Sequence, residues 1–108
     1  MAKYLLIESR DPYEWNDVSY FYDLAHGLAR EGHDVTLFLV QNGVLPARKS
    51  PRSGRLADLA QGGVKIAADD FSLRERGIAV EALAPGVRPS KIDAVVDLMG
   101  EGARALWH

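Results

Sequence analysis

The sequence predicts an α/β domain, a three-layer α/β/α arrangement around a mostly parallel sheet of about five strands. Three observations lead there. Short apolar runs recur at 4–7, 35–40 and 64–68. Stretches with helical spacing separate them. The run at 34–40 is apolar almost without interruption, as expected of a strand covered on both faces in a parallel sheet. Alternating strands and helices then imply right-handed βαβ crossovers with helices on both faces.

Residues 3–9, Lys-Tyr-Leu-Leu-Ile-Glu-Ser, read as a buried strand closed by the turn-rich Arg10-Asp11-Pro12. Asn16 or Asp17 can cap a helix. Its apolar stripe is Val18, Phe21, Tyr22, Ala25, Leu28 and Ala29, with Asp23, His26 and Arg30 off it. Gly32 suits a left-handed stop. Residues 34–40 form the second strand. Asn42-Gly43, Pro46, Pro51 and Gly54 make 41–54 a long loop. Leu56, Leu59 and Ala60 give a short helix ending at Gly62-Gly63, and 64–68 is the third strand. Ser72 and Glu75 have capping-box spacing, so a short helix is expected from about Asp70–Ser72 to Gly77. Residues 78–83 read as a fourth strand, and Pro85-Gly86 with Pro89 as a turn. Ser90 with Asp93 is expected to cap a final helix with Ile92, Val95, Val96 and Met99 on one face, before a last strand at 103–107.

The chain has 108 residues, which suits one domain spanning 1–108. A hydrophobic fraction of 47% and a charged fraction of 26% describe an ordinary soluble globular protein. The net charge of −2 argues against a nucleic-acid partner. The first apolar run, 4–7, is too short for a signal peptide or a membrane span, so a cytoplasmic location without membrane contact is expected. The sequence has no cysteine, which excludes disulfides and thiolate metal ligands.

In parallel α/β sheets ligands sit outside the carboxyl ends of the strands. Here those ends are Ser9-Arg10-Asp11, closely followed by Trp15, then Gln41-Asn42-Gly43, then Asp69-Asp70. With Ser72 and Arg76 on the next helix, they make the candidate ligand-binding set Ser9, Arg10, Asp11, Trp15, Asn42, Asp69, Asp70, Ser72 and Arg76. Asp69 and Asp70 can act as acid and base, or one can cap the following helix while the other is solvated. Arg74 and Arg76 can hold an anion or be exposed charges. Arg48, Lys49, Arg52 and Arg55 form a basic loop cluster that reads mainly as solvated. None of His26, His33 and His108 has a partner at metal-ligand spacing, so no metal is expected. Neither a dinucleotide-type nor a P-loop glycine pattern occurs, and no cofactor is expected. Nor does a nucleophile elbow or a Ser/His/Asp triad stand out, and no catalytic residue is assigned.

Residues 63–78 read Gly-Val-Lys-Ile-Ala-Ala-Asp-Asp-Phe-Ser-Leu-Arg-Glu-Arg-Gly-Ile. This segment resembles the active-site segment of the DsrE/DsrF-like sulfur-relay family. There a cysteine stands eight residues before the glycine of the Arg-Gly pair, sometimes with a second five before it; counting back from Gly77, Asp69 and Ser72 occupy those positions. Residues 4–32 resemble the family's opening unit. Residues 32–38 with Asn42-Gly43-Val44 resemble its second strand and corner, and Pro85-Gly86-Val87 with the last helix and strand resemble its end. The resemblance covers essentially the whole chain. It implies a three-layer α/β/α domain that forms trimers, hexamers or hetero-oligomers with related subunits. It also implies persulfide carriage on the conserved cysteine, which fails here because that chemistry needs a thiolate.

Two functions follow as expectations. One is a DsrE-like protein without sulfurtransferase activity, serving as an oligomeric scaffold or a small-ligand-binding subunit beside sulfur-relay proteins. The other is an enzyme using Asp69 or Asp70 as general acid/base on a small molecule. A buried Asp69 facing a cavity favours the enzyme; an exposed helix cap favours the scaffold.

Overall fold

The structure is a computed structural model that describes residues 1–108, the side chain of Arg52 excepted. Five strands form one sheet: β1 (Lys3–Glu8), β2 (Asp34–Leu39), β3 (Lys65–Asp69), β4 (Val87–Ser90) and β5 (Arg104–Trp107). Their order is β4-β3-β2-β1-β5, and every neighbouring pair is parallel. Four α-helices connect or follow them: α1 (Val18–Arg30), α2 (Gly54–Gln61), α3 (Asp70–Glu75) and α4 (Asp93–Gly100). The expected α/β fold is the observed one.

Side chains alternate across each strand, so each contributes to two cores. On one face Leu6, Leu37, Leu39 and Ile66 meet Tyr22 and Ala25 of α1, Leu56 and Leu59 of α2, and Leu73 of α3. On the other, Leu5, Ile7 and Phe38 meet Val95 of α4, with Ala94 and Leu98 against them. Each large aliphatic side chain buried this way contributes roughly 1.5–3 kcal/mol. The two faces are unequal. Three helices cover the first and α4 alone covers the second.

Helix α1 ends where expected, with Gly32 at φ 89°. Asp17 stands at its N-cap but its side chain accepts no capping hydrogen bond; its carboxylate is engaged elsewhere, as described below.

Four expectations are corrected. Residues 78–83 are not a strand: Val80–Ala82 is a 3-10 turn, and Val80 is exposed. Pro85-Gly86 is a turn as expected, but Pro89 is not: it lies in β4, the strand beside β3. Proline is tolerated there because β4 lies at the sheet edge. The 41–54 loop contains two 3-10 segments, Gln41–Ala47 and Pro51–Ser53. Finally, Ser90 does not cap α4, whose N-cap is Ile92. Only Val95 of its expected face is buried, leaving Ile92, Val96 and Met99 exposed.

Candidate functional site

The carboxyl ends of the parallel strands build a cleft of about 500 Å³. Its polar floor is Ser9, Gln41, Asn42, Asp69, Ser72 and Arg76, and its apolar walls include Phe71, Ile92 and Trp107. Those three wall residues are about half or more exposed.

A short hydrogen-bond chain organises the floor. Asp69 ends β3 and caps α3: its Oδ2 accepts from the Ser72 amide at 3.0 Å and from the Ser72 hydroxyl at 2.7 Å. The Ser72 hydroxyl in turn accepts from the Gln41 amide at 2.8 Å. The cap is thus Asp69, and Ser72 is inside the helix rather than before it. Gln41 has φ 51° and is, among the described residues, the one non-glycine residue with positive φ. Such strain tends to collect at functional sites. Arg76 is held across the cleft mouth, donating from Nε to Asn42 Oδ1 at 3.1 Å and from a terminal nitrogen to the Ser72 carbonyl at 3.2 Å.

Gly43 allows the loop after β2 to approach β1. A Cβ there would lie 2.1 Å from the Glu8 carbonyl oxygen. No other residue fits that contact, which explains the Asn-Gly-Val corner physically.

Of the nine sequence-predicted residues, the cleft brings together Ser9, Asn42, Asp69, Ser72 and Arg76. Asp70 turns away to pair with Arg74 at 3.6 Å. Asp11 is buried in the β1–α1 loop, where its carboxylate accepts from the amides of Tyr13 (2.9 Å) and Glu14 (3.0 Å). Arg10 lies over the Trp15 ring at 4.5 Å and beside Asp17 at 3.6 Å. These four belong to neighbouring structure, not to the cleft. Asp69 and Asp70 diverge, so they share no proton. Asp69 is buried at 8% exposure, lines the cleft and caps a helix at once.

Sequence reasoning missed the most buried charge among the described residues. Glu8, at the end of β1, is 0% exposed. Its two carboxylate oxygens lie 2.8 and 2.9 Å from Nδ1 of His108, whose Nε2 lies 3.0 Å from Asp17 Oδ2. A charged residue closing an apolar run read as a buried strand was the available signal. Burial pushes the Glu8 carboxyl up, against the Arg10 amide and His108. Burial pulls His108 down, but hydrogen bonds to Glu8 and Asp17 outweigh it and hold the imidazole above its ordinary value. The contact with His108 lowers Asp17. Among the described residues no group of three or more His, Cys, Asp or Glu is arranged to hold a metal ion. No described helix is long and apolar enough to cross a membrane.

A five-stranded parallel sheet with an open cleft at its carboxyl edge defines an α/β domain of the three-layer kind. Residues 2–107 match the DsrE/DsrF-like family, and the chain belongs to it. It does so without a cysteine. Three solved structures share the fold. The protein of unknown function MTH1491 from Methanobacterium thermoautotrophicum is 20% identical with a TM-score of 0.87, over 100% of both chains. The ychN protein from E. coli is 19% identical with a TM-score of 0.88, also over 100% of both. The conserved protein of unknown function BT1422 from Bacteroides thetaiotaomicron is 17% identical with a TM-score of 0.77, over 98% of this chain and 95% of that one. No curated protein matches the sequence.

Proposed function

We propose that this chain is a cysteine-less DsrE-like subunit that binds a small molecule in the cleft at the carboxyl edge of its sheet and works as an oligomer in the cytoplasm. The carrying observation is the cleft itself. It has a polar floor tied together by Asp69, Ser72 and Gln41, and it has exposed aromatic walls. Concave sites with apolar walls and a few convergent polar groups are where small ligands bind. Asp69 stands where the family's cysteine is expected, and its carboxylate can hold a hydrogen bond but no persulfide.

Assembly is supported by an apolar stripe that the monomer leaves uncovered. Ile92, at the N-cap of α4, and Val96 and Met99 within it are 52%, 67% and 54% exposed, and Trp107 of the neighbouring edge strand is 70% exposed; Ile92 and Trp107 also wall the cleft, which borders this face. Their spacing along α4 places the three on one side of the helix. A second copy, in a trimer or hexamer, is the occupant we assign to this face; a related subunit in a hetero-oligomer is the alternative outcome. The burial of Asp69 at the cleft speaks for the acid/base reading, but its carboxylate is engaged as a helix cap by Ser72 and Asp70 is paired with Arg74, so we rank that reading second.

The test is an NMR titration of the full chain with a library of small polar and aromatic fragments. Binding fragments are expected to shift the Trp107 indole, the Asn42 side-chain amide and the Ser72 amide together. Shifts confined to other surfaces, or none from the whole library, would overturn the reading.

A further inference from the structure

The cluster at the junction of β1, α1 and β5 has an odd composition for a structural site. It contains a fully buried carboxylate, an imidazole and a second, half-exposed carboxylate in a row. We propose that Glu8, His108 and Asp17 form a proton-operated clasp that fastens the exposed edge strand β5, and with it the Trp107 wall of the cleft, to β1 and α1.

The argument starts from proton counting. Two contacts, Nδ1 with Glu8 and Nε2 with Asp17, join nitrogen to carboxylate oxygen within 3.0 Å. Each needs one hydrogen. Two protons shared over the three side chains satisfy both. They can sit as an imidazolium between two carboxylates, or as a protonated Glu8 donating to a neutral ring that donates to Asp17. These arrangements carry the same charge and titrate as one unit. Removing one proton leaves a neutral ring with a single N–H. A buried charge without a partner is costly, so that hydrogen stays on Nδ1 toward Glu8, Nε2 turns a lone pair to the half-exposed Asp17 carboxylate, and the clasp opens at its Asp17 end.

The surroundings favour the closed form. From α1, Phe21 stacks on the His108 ring with centroids 5.2 Å apart. From the β1–α1 loop, the Arg10 amide donates to Glu8 at 3.1 Å and its guanidinium stands 3.6 Å from Asp17. Tyr22 of α1 also feels the Glu8 charge; burial foremost keeps its phenol protonated.

The link to the cleft is covalently short and hydrogen-bonded. Trp107 precedes His108. Its indole donates to the Ser9 hydroxyl at 3.3 Å, and that hydroxyl donates to the His108 carbonyl at 2.9 Å. All four residues of β5 are exposed, so little side-chain packing holds the strand besides this clasp and its backbone ladder with β1. The clasp stands whether or not the cleft binds a ligand.

Imidazole and indole resonances of the full chain, followed from about pH 5 to about pH 9, test it. A Trp15→Phe background leaves Trp107 as the remaining tryptophan. The His108 ring is expected to titrate above about 6.5, with the Trp107 indole proton shifting at the same midpoint. Glu8→Gln should lower both midpoints together by roughly 1–3 units. Should that variant not fold, Asp17→Asn, altered at an exposed site, should lower them in the same direction by less. A His108 midpoint unmoved by these substitutions, or an indole signal that ignores the histidine, would overturn the proposal.

Discussion

The amide of Gln41 donates to the hydroxyl of Ser72 at 2.8 Å, joining residues 31 positions apart. The loop after β2 therefore hangs on the helix after β3, and Asp69 holds that hydroxyl in place from the other side. Asp69→Ala should cost about 1 kcal/mol through the lost cap. Ser72→Ala should also destabilise, by leaving the Gln41 amide without this partner. Because the two share one network, the double variant should lose less than the sum. Urea denaturation of the three variants checks this, and strict additivity would contradict it.

Gly43→Ala should be more damaging than any conservative change in the cleft floor. Its Cβ would sit 2.1 Å from the Glu8 carbonyl oxygen, which is backbone and cannot swing aside. Overpacking of this kind costs roughly 1–3 kcal/mol or more. A thermal melt close to that of the unaltered chain would show that the corner has more freedom than the structure describes.

Stability should depend on pH through the same cluster that fastens β5. The folded pKa of His108 is raised, so its contribution is complete below the ordinary histidine value near 6.5 and is lost as pH rises through the raised value. Glu8 is also raised, by burial, and acts in the same direction. Asp17 is lowered, so its contribution holds above the ordinary value near 3.9 and fades as pH falls through the lowered one. The melting temperature should therefore peak near about pH 4, decline as pH rises past the ordinary Glu value near 4.3 while Glu8 ionises, and decline further above about 6.5 through His108. Glu8→Gln should flatten the alkaline side, and an unchanged alkaline slope in that variant would count against the assignment.

Val96→Glu with Met99→Glu should yield a smaller particle without unfolding the monomer. Both side chains are more than half exposed in the isolated chain, at 67% and 54%. Burying such apolar area between copies contributes roughly 25 cal/mol per Å² before association costs. Light scattering combined with circular dichroism separates dissociation from unfolding. A unaltered chain that is already monomeric at every accessible concentration would end the assembly proposal.

Incubation with labelled sulfide should leave the purified chain unlabelled, since the sequence holds no thiol to carry a persulfide. Mass spectrometry of the intact protein reads this directly. A stable added sulfur mass would contradict it.

The central strands were legible because their apolar runs match burial on two faces. β1, β2 and β3 start and end within one residue of the expected bounds, and β5 does as well. β4 was not legible. Its Val-Arg-Pro-Ser sequence carries a turn residue, and only its place at the sheet edge makes that residue harmless. The outward side of α4 was misread for another reason: periodicity groups Ile92, Val96 and Met99 with Val95, but it does not say which part of a broad apolar arc meets the sheet. In the cleft, Ser9, Asn42 and Asp69 could be placed from topology because each lies at or just past the carboxyl end of a strand. Arg10, Asp11 and Trp15 follow the same rule and depart from it because Asp11 turns the loop on its own amides. Nothing local announces His108, whose partner Glu8 lies 100 positions away.

The strand order has a consequence for the chain as it is made. β1 pairs on one side with β2, with Lys3 opposite Asp34, and on the other with β5, with Tyr4 opposite Arg104. β1 and β2 leave the ribosome early and can meet at once. The far edge of β1, with Leu5, Leu6 and Ile7, stays unpaired until almost the entire domain has been synthesised. An open apolar edge is a template for pairing with another chain, and long-range strand closure is slow. Translation that stalls before Arg104 therefore leaves a nascent domain whose hazard lies at β1, far from the point of synthesis, which is where a holdase chaperone would be expected to bind.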